Sequence, residues 1–380
     1  ADVIGVPAAA IEAMNAAPGR KIAADIPSGS DADSGRVCGV AFRADVTATM
    51  GARKLGLAVD AEVPAGRVEV IGLGAPLAAP PALGPFVYWL EPAVVALALP
   101  RRTASSHKGT AGHALIIAGS AGKTGAAVLT GRAAMRAGAG LVTLASTAAG
   151  QVSLDAKLIE LMSASYAAGD DADADSGLAI TALATGMKAV AIGPGIPTGP
   201  AMARLVRELC ATLPLPMVVD ADALNLLGPD HRAVLRSAPA PRVLTPHPGE
   251  AARLLGTTTG EVQAARLAAA RTLANDTHAV VVLKGARTLV AQPDGTVFVN
   301  PAANPALATA GSGDVLTGVI TAFLTQGLGA VDAATAGVFV HGAAGDEAAR
   351  RKGGVIAGDL PDAVAQVMAG LRARAAPARD

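Results

Sequence analysis

Short, near-continuous apolar runs alternate with longer Ala-rich stretches along most of this chain. The runs fall at residues 114–118, 141–144, 189–192, 217–219, 243–244, 280–283 and 288–290. Between and after them, residues 124–137, 201–213, 260–275, 314–325 and 332–349 predict helices. A strand that is apolar at every position is buried on both faces. Such strands separated by helices predict an α/β fold, with a mostly parallel sheet and helices on both faces. Ligands of these sheets lie at the carboxyl ends of the strands, so the turns after the runs are where chemistry is sought. The low-complexity stretch 164–176 reads as a surface loop, and no internal repeat has a fixed period.

Six prolines interrupt the pattern before residue 101: Pro76, Pro80, Pro81, Pro85, Pro92 and Pro100. Proline removes a backbone donor and resists regular structure, so 76–100 reads as a linker between a first segment, 1–75, and a second, 101–380. A length of 380 residues agrees with two domains, although the first segment is short for an independent α/β domain. Composition narrows the partners. Lys plus Arg and Asp plus Glu are both 31, so the chain has no excess of positive charge to offer a nucleic acid. Aromatic residues, at 2%, leave few platforms for stacking bases. Cys38 and Cys210 lie far apart and outside any metal-type spacing, which predicts inert thiols and a cytoplasmic setting. No apolar run reaches the roughly 18 residues of a membrane helix, so no membrane partner is expected. The first residues carry no signal-peptide pattern and no initiator Met, which predicts that the chain begins partway into a longer protein.

The sharpest candidate site is Gly311-Ser312-Gly313-Asp314, followed at once by the apolar run of a helix. Backbone N–H groups at a helix start attract phosphate, and glycine lets it come close. Asp314 is then placed to accept the proton of an attacking hydroxyl during phosphoryl transfer. The plain structural alternative is that Asp314 only caps the helix. Lys284-Gly285-Ala286-Arg287-Thr288 follows the run at 280–283, where a Lys beside a Gly suits a nucleotide phosphate; a hairpin turn with a solvated Lys is the alternative. In Thr245-Pro246-His247-Pro248-Gly249-Glu250, the prolines hold His247 toward a substrate and Glu250 toward Mg²⁺ through water. Otherwise Glu250 opens a helix as a dipole partner. Asp220 and Asp222 offer two carboxylates after another strand, for magnesium or substrate, or as a strand-end cap. Gly193-Pro194-Gly195 is a further strand running into glycines. Gly122-Lys123-Thr124 matches the end of a Walker loop, but Ile117 occupies the place of its first glycine, so a P-loop is rejected. The segment reads instead as a turn in which Ala126 leaves room for a ligand.

In this order these segments resemble the ADP/ATP-dependent NAD(P)H-hydrate dehydratases of the ribokinase-like superfamily. The likeness covers about residues 101–370 and includes Ser106-His107-Lys108-Gly109 and Gly138-Ala139-Gly140. Ser312 stands where the family more often has Thr, which keeps the hydroxyl. The resemblance implies a lyase that repairs hydrated NADH and NADPH: the added ring hydroxyl of the S-form is phosphorylated and phosphate is lost. It implies Asp314 as base and substrate contact. Ala126, Gly195 and His247 would line the hydrate pocket, and Lys284 through Thr288 with Gly313 would hold ADP or ATP. Mg²⁺ is implied as cofactor, a homo-oligomer as assembly, and ADP as donor from the His-Pro-Gly-Glu form.

Asp25-Ile26-Pro27-Ser28-Gly29, with 44–49 and 54–57, resembles the end of an NAD(P)H-hydrate epimerase domain, a Rossmann-like α/β fold. That implies a substrate contact for Asp25 and a potassium contact for Ser28. The upstream Asn-Gly-Gly-Asp-Gly segment and acidic catalytic residue do not occur here, so epimerase activity is not expected of this chain. Two other functions remain open: a ribokinase-like kinase that releases a stable phosphorylated vitamin precursor, and a non-catalytic nucleotide-binding module.

Overall fold

The structure, a computed structural model, describes residues 1–60, 62–74, 84–101, 103 and 105–374. It divides into two compact units, Ala1–Trp89 and Leu90–Asp380. The first contains the helix Val6–Ala16 and three parallel strands, β1 (Ile22–Ala24), β2 (Val46–Met50) and β3 (Arg67–Ile71), in that spatial order. A short helix, Leu55–Val59, brings Leu57 onto Val63 and Ala65 in a small core. The strand β4 (Val87–Trp89) ends this unit.

Among its described residues, the second unit holds nine strands in one sheet. They are β5 (His113–Ile117), β6 (Leu141–Thr147), β7 (Met162–Ala167), β8 (Ala189–Ile192), β9 (Met217–Val219), β10 (Arg242–Leu244), β11 (Val280–Leu283), β12 (Leu289–Ala291) and β13 (Val297–Val299). Their spatial order is β13-β12-β11-β10-β9-β8-β5-β6-β7. The seven from β5 to β11 run parallel, and β12 and β13 return antiparallel. The parallel, helix-covered sheet expected from the apolar runs is therefore present. Alternation along each strand feeds two layers. Ala114, Ile116, Val142, Leu144, Val218 and Val282 join the core beneath the helices Thr124–Arg136, Ser312–Thr325, Ala330–Lys352 and Leu360–Arg374. On the opposite face, Met217 meets Cys210 of the helix Pro200–Thr212. Burial pushes the Cys210 thiol up to about 12, so it is inert, as expected.

Two helices of the first layer cross closely because Gly318 has no side chain. A Cβ there would run into the Thr130 carbonyl oxygen and come within 2.9 Å of the Ala133 methyl. Overpacking of this kind typically costs about 1–3 kcal/mol. Gly318→Ala is expected to lower the melting temperature by several degrees, as a thermal melt followed by circular dichroism would show.

Three sequence expectations are corrected. Residues 76–83, with Pro76, Pro80 and Pro81, lie outside the described residues, but 84–100 carries regular structure. Pro92 opens the helix Pro92–Ala98, whose Val95 and Ala96, with Leu99, are buried in the core of the second unit. Proline is suited to a first helical turn, where its missing N–H has no intrahelical partner in any case. The expected loop 164–176 begins inside β7 and ends at the first residue of the helix Ser176–Leu183. The helix expected over 260–275 is two, Thr259–Ala264 and Arg266–Thr277, broken where Ala265 leaves helical geometry at φ −137°.

Candidate active site

The strand order reverses between β5 and β8, and a crevice opens at such a switch point beyond the carboxyl ends of the strands. Gly119–Lys123 and Gly193–Gly195 follow these two strands, and Ser120 Oγ donates to the Gly195 carbonyl at 2.8 Å. Gly195 adopts φ +66°, and a Cβ on it would sit 3.2 Å from that of Ala126. Ala126 and Gly195, chosen separately in the sequence, thus form one wall.

The Gly-Ser-Gly-Asp segment opens the helix Ser312–Thr325. Its N-cap is Gly311, in the left-handed region at φ 86°, and no side chain caps the helix. The capping alternative for Asp314 therefore fails: Asp314 lies in the first helical turn instead. A Cβ on Gly311 would meet Leu129, one turn beyond Ala126, which joins this helix start to the first wall. Burial first, and the neighbouring Asp220 second, raise the Asp314 carboxyl to about 7.

Lys284 leaves the end of β11 and reaches the same place. A Cβ on Gly313 would lie 3.5 Å from Lys284 Nζ and 3.9 Å from Asp220 Oδ2. The ammonium donates to Asp220 Oδ1 at 2.7 Å and lies 3.8 Å from Glu250. Burial opposes its charge, but Asp220 and Glu250 outweigh burial and hold the Lys284 pKa above its usual value. Burial likewise opposes the charge of Asp220, and Lys284 outweighs it in turn, keeping Asp220 ionised. Lys284 is thus no solvated turn residue. The loop after it is shaped by Gly285 at φ +142° and Arg287 at φ 55°. Arg287 N–H donates to the Ala302 carbonyl at 3.0 Å, and Thr288 Oγ1 donates to the Gly285 carbonyl at 3.0 Å. Ala286 is exposed on this loop.

His247 and Glu250 form a capping box on the helix Pro248–Leu255. Imidazole Nδ1 accepts from the N–H groups of Gly249 and Glu250 at 3.0 and 3.3 Å, and Glu250 Oε2 accepts from His247 N–H at 2.7 Å. Burial, then Lys284, hold the imidazole below its usual pKa, so it is neutral and half exposed beside Lys284. The expectation that Glu250 ligates magnesium gains no support from this geometry. Its carboxylate is buried, used by the cap and raised by desolvation. Among the described residues no group of three His, Cys, Asp or Glu could hold a metal. The donor set fits a magnesium ion carried on phosphates, not one held in a protein cage.

Three contributors had no clear sequence signal. Thr317 Oγ1 donates to Asp220 Oδ2 at 2.7 Å. His341, buried and lowered to about 4 by desolvation, shares Nε2 between the Ser312 carbonyl at 3.0 Å and Ser312 Oγ at 3.2 Å. Arg266 donates to the carbonyls of Leu283, Lys284 and Arg287. Each depends on a pairing across distant elements, although a lone His in an Ala- and Val-rich helix is a hint.

Asp25 and Ser28 belong to the first unit. Asp25 has φ 68°, and its carboxylate accepts from Met50 N–H at 2.9 Å and pairs with Lys54 at 2.5 Å, contacts that hold its pKa below the usual value. Ser28 is exposed.

Residues 114–369 match the family described as NAD(P)H-hydrate dehydratase, and residues 3–56 match the YjeF-related protein N-terminus. The bifunctional NAD(P)H-hydrate repair enzyme of Moorella thermoacetica is 46% identical over 97% of this chain and 70% of its own length. The ADP-dependent (S)-NAD(P)H-hydrate dehydratase of Neisseria meningitidis is 43% identical over 69% of this chain and 86% of its own length. Among solved structures, the ADP/ATP-dependent NAD(P)H-hydrate dehydratase of Bacillus subtilis, crystallised with ATP and Mg²⁺, superposes with a TM-score of 0.65. It is 33% identical, and the match covers 75% of this chain and 99% of that one. A ribokinase-like superfamily protein of Enterococcus faecalis, 22% identical with a TM-score of 0.65, shares the fold over 75% of this chain and 96% of its own.

Proposed function

The chain belongs to the NAD(P)H-hydrate dehydratase family, and from that premise we propose that it returns the S-form of hydrated NADH and NADPH to the dihydronicotinamide. The observation that carries the proposal is Asp314, a carboxyl raised to about 7 and set beside Lys284 and the glycine-flanked helix start. A base poised near neutrality suits proton removal from a hydroxyl. In the first step the Asp314 carboxylate takes that proton, the hydroxyl oxygen bonds to the donor's terminal phosphorus, and the bond from that phosphorus to the rest of the nucleotide breaks. In the second, the carbon–oxygen bond breaks, phosphate leaves with the electron pair, and a proton lost from the adjacent carbon restores the ring double bond. Phosphorylation turns a poor leaving group into a good one.

Lys284 and the Gly313 amide meet the transferring phosphate, and the loop through Thr288 holds the rest of the nucleotide. Magnesium, when bound on the phosphates, neutralises their charge. Ala126, Gly195 and His247 line the hydrate side. Gly195→Ala forces an L residue into φ +66° and places a methyl beside Ala126. It is expected to raise KM for the hydrate about tenfold with a smaller change in kcat, read by steady-state kinetics at fixed nucleotide. The His-Pro-Gly-Glu segment favours ADP as donor. No epimerase step is assigned to Asp25 and Ser28, and no potassium site is placed there.

The test is to incubate the protein with hydrated NADH, Mg²⁺ and ADP or ATP, and to follow dihydronicotinamide absorbance and free phosphate. The proposal expects both to appear together, faster with ADP. A stable phosphorylated substrate without recovered absorbance would identify a kinase instead.

A further inference from the structure

Asp220 is buried, with 1% of its side chain exposed, yet keeps both carboxylate oxygens engaged on different elements. Oδ1 takes the Lys284 ammonium from the end of β11, and Oδ2 takes the hydroxyl of Thr317, one turn beyond Asp314 on its helix. Its backbone is equally constrained. Gly193 leaves room for the Asp220 carbonyl, which any Cβ there would strike. The next residue, Ala221, sits at φ 50°, ψ −127°, a region that non-glycine residues avoid. That turn sends Asp220 inward while Asp222 goes to Lys123 at 3.3 Å. A buried charge is costly unless paired, and apolar substitutes for buried ion pairs are often equally stable. Stability alone therefore does not account for a strained strand end that aims one carboxylate between a lysine and the Asp314 helix.

We propose that Asp220 is a positioning residue: through Thr317 and Lys284 it locks the ammonium against Gly313 and so fixes where the donor's terminal phosphate meets Asp314. The inference rests on the functional reading above. Its electrostatic consequence follows from the groups around Asp314. Asp220 and Asp222 oppose its ionisation and Lys284 favours it. Lys123 pairs with Asp222, and His341, behind Ser312, is neutral. Removing the Asp220 charge leaves Lys284 acting on Asp314 with less opposition, so Asp314 ionises at lower pH and becomes a weaker base.

The experiment compares wild type with Asp220→Asn, Thr317→Val and Thr317→Ser, each checked for folding by circular dichroism. Nucleotide affinity comes from calorimetry with ADP and Mg²⁺, and the pH dependence of kcat/KM from turnover of hydrated NADH. Asp220→Asn is expected to weaken nucleotide binding about tenfold and to move the acid limb down by about one pH unit. Thr317→Val, which leaves the Asp220 charge in place, should weaken nucleotide binding to a smaller extent with the acid limb close to wild type, and Thr317→Ser should restore the affinity. A folded Asp220→Asn with wild-type affinity and acid limb overturns the proposal. If Asp220→Asn does not fold, a Thr317→Val indistinguishable from wild type overturns it. Were wild type itself unable to turn over hydrated NADH, the functional reading would fall, and the calorimetric arm would still decide whether Asp220 sets the phosphate site.

Discussion

Asp314→Asn is expected to lower kcat by about two to four orders of magnitude, the usual contribution of a positioned general base, while nucleotide affinity stays close to wild type. Asn keeps the shape and the helix start but cannot take the hydroxyl proton. The same substitution should stabilise the fold in a pH-dependent way. The folded protein raises this carboxyl from 3.8 to about 7, first by burial and then by Asp220. The folded state thus binds the proton more tightly than the unfolded chain. The stability linked to that proton is complete below about pH 4 and is lost as pH rises toward 7. Asn has no proton to lose, so the melting temperature of Asp314→Asn should exceed that of wild type at pH 8 by more than at pH 5. An inactive variant that melts higher at alkaline pH is the mark of a site that trades stability for a poised base. Wild-type turnover at pH 8 in this variant would remove Asp314 from the chemistry.

Lys284→Ala should be the most destabilising change in the site. It leaves Asp220 buried with its ammonium partner gone, and stripping one member from a buried pair typically costs about 3–5 kcal/mol. For a unit of this size the melting temperature should fall by roughly 10 °C, and nucleotide binding should weaken with it because the charge beside Gly313 is lost. Lys284→Ala combined with Asp220→Ala removes both charges. The double variant should recover much of the melting temperature and none of the nucleotide affinity, which separates the structural from the functional share of the pair.

The parts of this site that were legible in the sequence share a local cause. Gly311 to Asp314 stands out because glycines flanking a serine ahead of an apolar helix have no role in capping by side chains, and the left-handed Gly311 is the N-cap. The apolar runs give most of the parallel strands because strands buried on both faces are mostly apolar. What escaped depends on distance along the chain. The partner of Lys284 lies 64 residues away, just after β9, and Thr317 reaches Asp220 across 97 residues. Neither pairing can be read without the strand order. His247 and Glu250 stood out locally as a substrate contact and a magnesium contact or a helix start, and the capping box between them shows only with the structure. The helix at Pro92 was hidden by the same prolines that suggested a linker.

The central claim is that Asp314, the Gly313 amide and the Lys284 ammonium share one cleft with the terminal phosphate of a nucleotide. A crystal structure of the chain with Mg²⁺ and a non-hydrolysable nucleotide tests it most directly. The account predicts that phosphate within hydrogen-bonding reach of the Gly313 N–H and Lys284 Nζ, with the Asp314 carboxyl facing the phosphorus from the side of Ala126 and Gly195. A phosphate seated away from the start of the Ser312–Thr325 helix and beyond reach of Lys284 Nζ, with Asp314 turned from it, would contradict it.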